Sequence, residues 1–93
     1  MKLIGKNTLV DFSKTHADIR SALASWIAEV EEAKWKTMQE IKQRYVHASI
    51  ISGNRVVFNI KGNKYRVEAK ISFDFDIVRI TRVGTHAEYN KWQ

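Results

Sequence analysis

The chain has 93 residues, of which 44% are hydrophobic, and this predicts one globular domain over residues 1–93 rather than a disordered chain. It contains no cysteine, which excludes a disulfide framework, thiolate metal sites and cysteine nucleophiles. No apolar run approaches the roughly 18 residues of a membrane span. Residues 1–5 are too short for a signal sequence, so we expect a cytoplasmic protein with no membrane partner.

The basic charge is unevenly distributed along the chain, whose net charge is +6. Residues 1–54 hold eight Lys and Arg against six Asp and Glu, whereas residues 55–93 hold eight against four. The balance is therefore +2 in the first part and +4 in the second. Such an excess indicates nucleic acid or an acidic protein as a partner. A solvated basic surface explains the charge equally well.

The first half of the chain predicts a short strand followed by helices. Residues 1–4 predict the strand, and Asn7-Thr8 predicts the start of a first helix. Thr15 and Asp18 resemble a capping box that opens the clearest helix of the chain. The apolar residues of this helix recur at spacings of three and four and form a core-facing stripe: Ile19, Ala22, Leu23, Trp26, Ile27 and Val30. Residues 38–45 predict a shorter helix, and residues 46–51 fit either strand or loop.

Gly62-Asn63 fits a two-residue hairpin turn, because glycine tolerates the positive φ that such turns require. Placing the turn there makes three apolar pairs across the hairpin: Ile60 with Tyr65, Phe58 with Val67, and Val56 with Ala69. The opposite face then carries Asn59 with Arg66, Val57 with Glu68, and Arg55 with Lys70. A slip of one residue would mix both faces, so the register is well determined. The sequence therefore predicts a sheet with one buried face and one polar, basic face.

Asp74-Phe75 predicts a second turn, after which residues 76–83 form the last strand. Regular pairing puts Val78 and Ile80 in the core and Arg79 and Thr81 on the basic face. It would also point Arg82 inward, where an unpaired guanidinium is costly. We therefore expect a bulge or a strand end near Thr81 that turns Arg82 toward the polar side.

The basic face offers residues that suit RNA cleavage, which needs a base for the ribose 2′-OH, cations for the phosphorane and an acid for the leaving 5′-oxygen. Arg66 suits bidentate phosphate binding, with Lys61 and Lys64 as further cations beside the turn. Asn59 can orient Arg66 or contact a base edge. His86 is a candidate acid or base, and Tyr89 lies one helical turn away if a short helix follows Gly84.

Structural roles explain the same residues. A lone histidine is more often a packing or capping residue than a catalyst, and lysines on a hairpin can simply keep an edge soluble. His16 and His47 lack a companion cluster. The spacing of a metal site is absent, as are a phosphate-binding glycine loop and a nucleophile turn. From spacing alone, an RNase is one of several possibilities.

Two motif blocks make the interpretation more specific: Val57-Phe58-Asn59-Ile60-x-Gly62-Asn63-x-x-Arg66-Val67 and Gly84-Thr85-His86-x-x-Tyr89. They resemble HigB-type toxins of the RelE/ParE superfamily, and the order of the preceding elements is similar over nearly the whole chain. The resemblance implies an α+β, RelE-like fold. An N-terminal strand and two to three helices would pack on one face of a mainly antiparallel, twisted sheet, followed by a short C-terminal helix or tail.

The resemblance also implies a function: a toxin of a type II toxin-antitoxin system that cleaves mRNA, usually on the translating ribosome, with no metal and no cofactor. Its expected partners are mRNA, the ribosome and a HigA-like helix-turn-helix antitoxin, with operator DNA reached only through the antitoxin. Because the superfamily contains gyrase-directed members, a non-enzymatic module that binds RNA, ribosome or a topoisomerase is the alternative.

Carried onto this chain, the resemblance selects two groups of residues. The predicted catalytic residues are Arg66, Arg82, His86 and Tyr89, and the predicted RNA-binding residues are Asn59, Lys61, Asn63, Lys64 and Arg79. The chain departs from many relatives at Thr81, where they have a basic residue. The arginines here stand at Arg79 and Arg82 instead, and either could take the phosphate-stabilising role.

Overall fold

A computed structural model describes residues 1–92, which form five strands and four α-helices in the mixed order of an α+β protein. The elements are β1 (Lys2–Ile4), α1 (Lys6–Thr15), α2 (Arg20–Glu32), α3 (Met38–Arg44), β2 (Ser49–Ile51), β3 (Arg55–Ile60), β4 (Tyr65–Ser72), β5 (Ile77–Thr85) and α4 (His86–Tyr89), with a 3₁₀ turn at Ala17–Ile19 before α2. No helix in this part of the chain is long and apolar enough to cross a membrane. The predicted fold class is confirmed.

The five strands form one sheet in the order β1-β5-β4-β3-β2. β1 runs parallel to β5, and the other neighbours are antiparallel. Helices α1 to α3 cover one face of this sheet. Their core stripe is the predicted one: Ile19, Leu23, Trp26 and Val30 are buried, and Ala22 and Ile27 pack against them. The opposite face carries the polar residues, and α4 lies at one end of it.

The β3–β4 hairpin has the predicted register at all six pairs, from Arg55 with Lys70 to Ile60 with Tyr65. Its turn is closed by the main-chain N–H of Lys64, which donates to the oxygen of Lys61 at 3.2 Å. Gly62 has a φ of 64°, as the sequence predicts, and Lys61 also has a positive φ of 54°. The alternation of apolar and polar residues is therefore sufficient to fix this half of the sheet.

The predicted bulge near Thr81 is also confirmed. Glu68 pairs with Arg82 but the next residue, Ala69, pairs with Ile80, so that Thr81 is the extra residue of β5. The shift turns Arg82 onto the polar face and keeps Ile80 buried in the core. An extra residue of this kind reverses the side-chain alternation at one point of a strand. β5 continues to Thr85, two residues beyond the predicted end.

The predicted helix starts need correction. Thr15 is the last residue of α1 rather than the cap of α2, and its hydroxyl donates to the oxygen of Phe12 at 3.3 Å. Neither the 3₁₀ turn nor α2 has a side-chain cap, and the Asp18 carboxylate contacts the hairpin instead. α1 begins at Lys6, directly after Gly5, rather than at Asn7-Thr8. Residues 46–51, whose sequence fits either strand or loop, contain β2.

Gly5 provides a test of this architecture, because it has a φ of 97° and an added Cβ would lie 3.0 Å from the Cβ of Ile80. We expect Gly5→Ala to lower the free energy of unfolding by about 2–3 kcal/mol through backbone strain and the clash with β5. Gly62→Ala is the control, since its φ is 64° and no heavy atom lies within 4 Å of the added Cβ. It should cost only about 1 kcal/mol. If Gly5→Ala and Gly62→Ala lost the same free energy of unfolding in urea, the clash with Ile80 would not exist.

Candidate functional site

The first turn of helix α4 is attached to the hairpin tip, which is the β3–β4 connection at residues 61–64. The hydroxyl of Thr85 accepts from the N–H of Glu88 at 3.1 Å, and the Glu88 carboxylate accepts from the N–H of Thr85 at 2.8 Å. This capping box lowers the pKa of Glu88, chiefly through the hydrogen bond from the main chain of Thr85. The N–H of His86 donates to the main-chain oxygen of Lys64 at 3.0 Å. The local sequence thus starts α4 and the tip orients it.

Arg66 lies on β4 under α4 and is only 7% exposed. Its Nη1 donates to the main-chain oxygens of Asn63, at 2.8 Å, and Tyr65, at 3.2 Å. The Tyr89 ring covers the guanidinium, with 5.2 Å between the ring centroid and Cζ. Within residues 1–92 no hydrogen bond engages Nε or Nη2 of Arg66. These two donors remain available to an anion.

His86 and Tyr89 occupy one face of α4, one turn apart as predicted. Their ring centroids are 6.5 Å apart and the ring planes differ by 23°. His86 is exposed, Tyr89 is half-buried and Arg66 is buried, so the three form a row from solvent to the sheet. A fixed cation next to a phenol and an imidazole is an arrangement that can hold a phosphate and move protons.

Arg82, the fourth predicted catalytic residue, is committed to other side chains. Its guanidinium donates to both oxygens of Glu68, at 3.0 and 3.3 Å, and stands 4.6 Å from the Trp92 ring centroid. Thr81 also donates to the Glu68 carboxylate, at 2.7 Å, and Arg55 lies 3.9 Å from it. Burial alone raises the pKa of Glu68, but these donors and charges outweigh it and the net shift is downward.

The lysines of the hairpin tip both contact Asp18, on the 3₁₀ turn below them. Lys64 forms an ion pair with the Asp18 carboxylate, Lys61 lies 3.6 Å from it, and the Tyr65 hydroxyl donates to it. The hydrogen bonds from Lys64 and Tyr65 hold the pKa of Asp18 well below its ordinary range. Asp18 therefore connects the helical layer to the tip and offsets part of its positive charge.

The remaining predicted residues are divided between two places. Asn59 donates to the side chain of Asn63 at 3.2 Å, and the main-chain oxygen of Asn63 accepts from Arg66, so Asn59 supports Arg66 through Asn63. Arg79 is exposed and pairs with Lys70, four residues along β4 from Arg66. At about 3.3 Å per residue, this places Arg79 roughly 13 Å from the row of Arg66, Tyr89 and His86. The structure brings Asn59 and Asn63 to the site and leaves Arg79 outside it.

Three residues of the site were missed from the sequence: Glu68, Asp18 and Trp92. Glu68 carried a signal, because the register placed a carboxylate between basic neighbours on the polar face. Trp92 is three residues beyond Tyr89, and their ring centroids are 5.6 Å apart. Asp18 carried only the capping pattern, which proved wrong. Among residues 1–92, no group of three or more His, Asp or Glu side chains is placed to hold a metal ion.

A helical layer on one face of a five-stranded mixed sheet, with a short helix over its polar face, is compatible with the fold of RelE-like toxins. A family model described as HigB_toxin, RelE-like toxic component of a toxin-antitoxin system, matches residues 19–92. The chain belongs to this family, so it is the toxin of a toxin-antitoxin system and has an antitoxin as its partner. No curated protein matches it significantly.

Gly84 lets α4 approach the sheet, because an added Cβ would lie 3.0 Å from the Trp92 ring and 3.2 Å from Cβ of Glu88. We expect Gly84→Ala to lift α4 from β5 and to separate Tyr89 from Arg66. The free energy of unfolding should fall by about 1–2 kcal/mol, and hydrogen exchange should accelerate in residues 86–92 more than in β3. Unchanged exchange in α4 would contradict the close packing of this helix on Gly84.

The lowered pKa of Glu68 makes the stability of the fold depend on pH. Its pKa in the folded protein lies below the ordinary value of 4.5, so its contribution is present above that value and is lost as the pH falls through the folded pKa. We expect Glu68→Gln to cost about 1–2 kcal/mol at pH 7, since the arginine partners are partly exposed, and to flatten the decline below pH 4.5.

The control for this experiment is Asp74→Asn, in the exposed β4–β5 turn, which should leave the pH profile of unfolding unchanged. Asp18 and Glu88 also have lowered pKa values, so part of the acid decline should persist in Glu68→Gln. A profile for Glu68→Gln that overlies the wild-type curve at every pH would show that Glu68 is not held by Arg82.

Proposed function

We propose that this toxin is an endoribonuclease that cleaves mRNA on the translating ribosome, without a metal or cofactor, and so inhibits translation. One observation carries the proposal: the buried Arg66 guanidinium lies under Tyr89, and Tyr89 stacks near His86. The chain itself thus offers a cation and two proton-transfer groups within one row. We further propose that its antitoxin is a HigA-like helix-turn-helix protein and that the toxin reaches operator DNA only through it.

The proposed reaction is transesterification within the RNA. The 2′-oxygen attacks the adjacent phosphorus and its proton passes to a basic group of the site. The bond from phosphorus to the 5′-oxygen breaks, and that oxygen takes a proton from an acidic group. The products are a 2′,3′-cyclic phosphate and a 5′-hydroxyl. Guanidinium donors aimed at the phosphorane stabilise the charge that develops on its oxygens.

Arg66 is the residue we assign to the phosphorane, because its position is fixed by Asn63 and Tyr65 while two of its donors stay free. His86 and Tyr89 share the roles of acid and base. Arg82 completes the site from the other side, where Glu68 and Trp92 hold its guanidinium in place. Fixed donors of this kind need no reorganisation when the charge develops.

The proposed RNA path follows the hairpin tip. Asn59, Asn63, Lys61 and Lys64 lie at that end of the sheet, next to the start of α4. Arg79 would contact the RNA backbone farther along the polar face. Because Lys61 and Lys64 already contact Asp18, an RNA phosphate would have to share them with its carboxylate. The tip therefore contributes less free charge than its sequence suggests.

The ion pairs of the site favour a second function. Arg82, Lys61 and Lys64 each have a carboxylate partner, and Arg66 is nearly covered by Tyr89. A module that binds RNA, the ribosome or a topoisomerase without cleavage needs no accessible phosphate ligand at this position. Mapping RNA 5′ ends after brief induction distinguishes the two, since only the endoribonuclease creates new ends.

Substitution of Arg66 or His86 tests the assignment. We expect Arg66→Ala and His86→Ala to relieve growth arrest and to reduce new RNA 5′ ends by about 100-fold or more, the usual effect of losing a charge-stabilising donor or a proton-transfer group. Lys36→Ala, an exposed cation between α2 and α3, is the charge-matched control and should stay toxic.

Circular dichroism and urea unfolding must accompany these variants, because Arg66 also has a structural contact with Asn63. His86 is exposed, and its side chain can be removed with little effect on stability. If folded His86→Ala and Arg66→Ala both cleaved RNA at the wild-type rate, the assignment of the site would be wrong. If induction of the wild-type toxin created no new RNA 5′ ends, the result would instead favour the binding module.

A further inference from the structure

A cleft opens beside Asn59, where β3 has no strand neighbour on its outer side. β2 pairs only with Arg55–Val57, so the last three residues of β3 face the segment between α3 and β2 instead of a strand. The space between them is a cleft of about 430 Å³. One wall is Arg44–Ala48, and the other is formed by Asn59, Gly62 and Asn63. Cavities that hold small organic ligands are commonly about 300–1,000 Å³.

The first wall is held in place by contacts to α2 and within the segment. Tyr45 donates to the Glu29 carboxylate at 2.6 Å, and Arg44 forms an ion pair with the same carboxylate at 2.9 Å. Lys42 donates to the main-chain oxygen of Ala48 at 2.6 Å. Burial, followed by the hydrogen bond to Glu29, raises the pKa of Tyr45 above its ordinary value. The cleft is therefore formed before any ligand arrives.

The lining of the cleft suits a nucleobase. Asn59 and Asn63 bring side-chain amides, the groups that recognise base edges by paired hydrogen bonds. His47 is exposed on the opposite wall and offers a ring for stacking, and Val46 is 61% exposed beside it. No described lining residue carries a carboxylate, and the charge of Arg44 is offset by its ion pair with Glu29. Single-stranded RNA is recognised through this combination of stacking and edge contacts.

The buried indole of Trp26 gives a further polar group nearby. Its Nε1 has no hydrogen-bond partner among residues 1–92. Trp26 lines a smaller depression that shares Arg44, Tyr45 and Asn59 with the cleft. A buried donor without a partner costs roughly 1–3 kcal/mol.

Asn63 links the cleft to the row of Arg66, Tyr89 and His86. The side chain of Asn63 lines the cleft and accepts from Asn59, while its main-chain oxygen accepts from Nη1 of Arg66. One residue thus contacts both places. A phosphate at Arg66 would put a neighbouring nucleotide of the same strand at the mouth of the cleft.

We propose that this cleft binds the base of a nucleotide adjacent to the phosphate at Arg66, and that Asn59, Asn63 and His47 set the base preference of cleavage. The inference rests on the proposed endoribonuclease function and adds its recognition site. Each well-formed amide–base contact discriminates by about fivefold or more. The preference should fall on one position next to the cut, because the Asn59 and Asn63 side chains are hydrogen-bonded to each other and so contact the cleft at one place.

Mapping of RNA 5′ ends for His47→Ala and Asn63→Ala tests the proposal. Each variant should weaken the base preference at one position beside the cut by about fivefold or more and leave the other positions unchanged. Gln43→Ala, an exposed polar residue of α3 outside the cleft, is the matched control and should cleave with the wild-type preference. Cleavage by both cleft variants with the wild-type preference would overturn the inference.

A binding measurement separates this inference from the proposed function. Nuclear magnetic resonance of the purified toxin, titrated with the four nucleoside 5′-monophosphates, should show amide shifts concentrated in residues 44–48 and 62–63. Such shifts without any RNA cleavage would support the cleft and refute the endoribonuclease. Cleavage without these shifts would refute the cleft alone. If His47→Ala and Asn63→Ala kept the wild-type base preference but were no longer neutralised by the antitoxin, the cleft would be a contact surface for the antitoxin. That result would overturn the inference.

Discussion

The site depends on the register of β3 against β4. Because side chains alternate along a strand, this register places Phe58 and Val67 in the core and Asn59 and Arg66 on the polar face. A slip of one residue would bury Arg66 under the helices and expose Phe58. Both outcomes are costly, so the hairpin has one acceptable pairing. The tip of that hairpin then supplies the contacts that position Arg66 and the first turn of α4.

Glu68 determines how the polar face is organised. A carboxylate that is 4% exposed needs partners, and the bulge at Thr81 brings both Thr81 and Arg82 to it. Trp92 then lies over the Arg82 guanidinium, and Tyr89 lies over Arg66. Two arginines of one face are therefore covered by two aromatic rings of the C-terminal segment. The same contacts that fix the two guanidinium groups in place also limit their access to an anion.

The electrostatics of the hairpin tip follow from Asp18. Its carboxylate contacts Lys61 and Lys64, whose charges would otherwise be free at the proposed RNA site. The interaction holds the tip against the helical layer and lets the main chain of Lys64 accept from His86. On the other side of the tip, Asn63 joins Arg66 to the cleft beside β3. The turn of the hairpin is thus where the proposed phosphate site, the start of α4 and the proposed base site meet.

The sequence by itself determined the features that depend on local periodicity: the stripe of α2, the six pairs of the hairpin, the bulge near Thr81 and the one-turn separation of His86 and Tyr89. Its residue types also led to the correct family, over residues 19–92. Only the tertiary structure decided which charges are free. Asp18 pairs with Lys64, which lies 46 residues later in the sequence, and the Trp92 ring covers Arg82. No periodic pattern relates these residues, because only the packing of the helical layer and the C-terminal segment against the sheet brings them together. The cleft has the same origin: it exists because β2 is too short to pair with the end of β3.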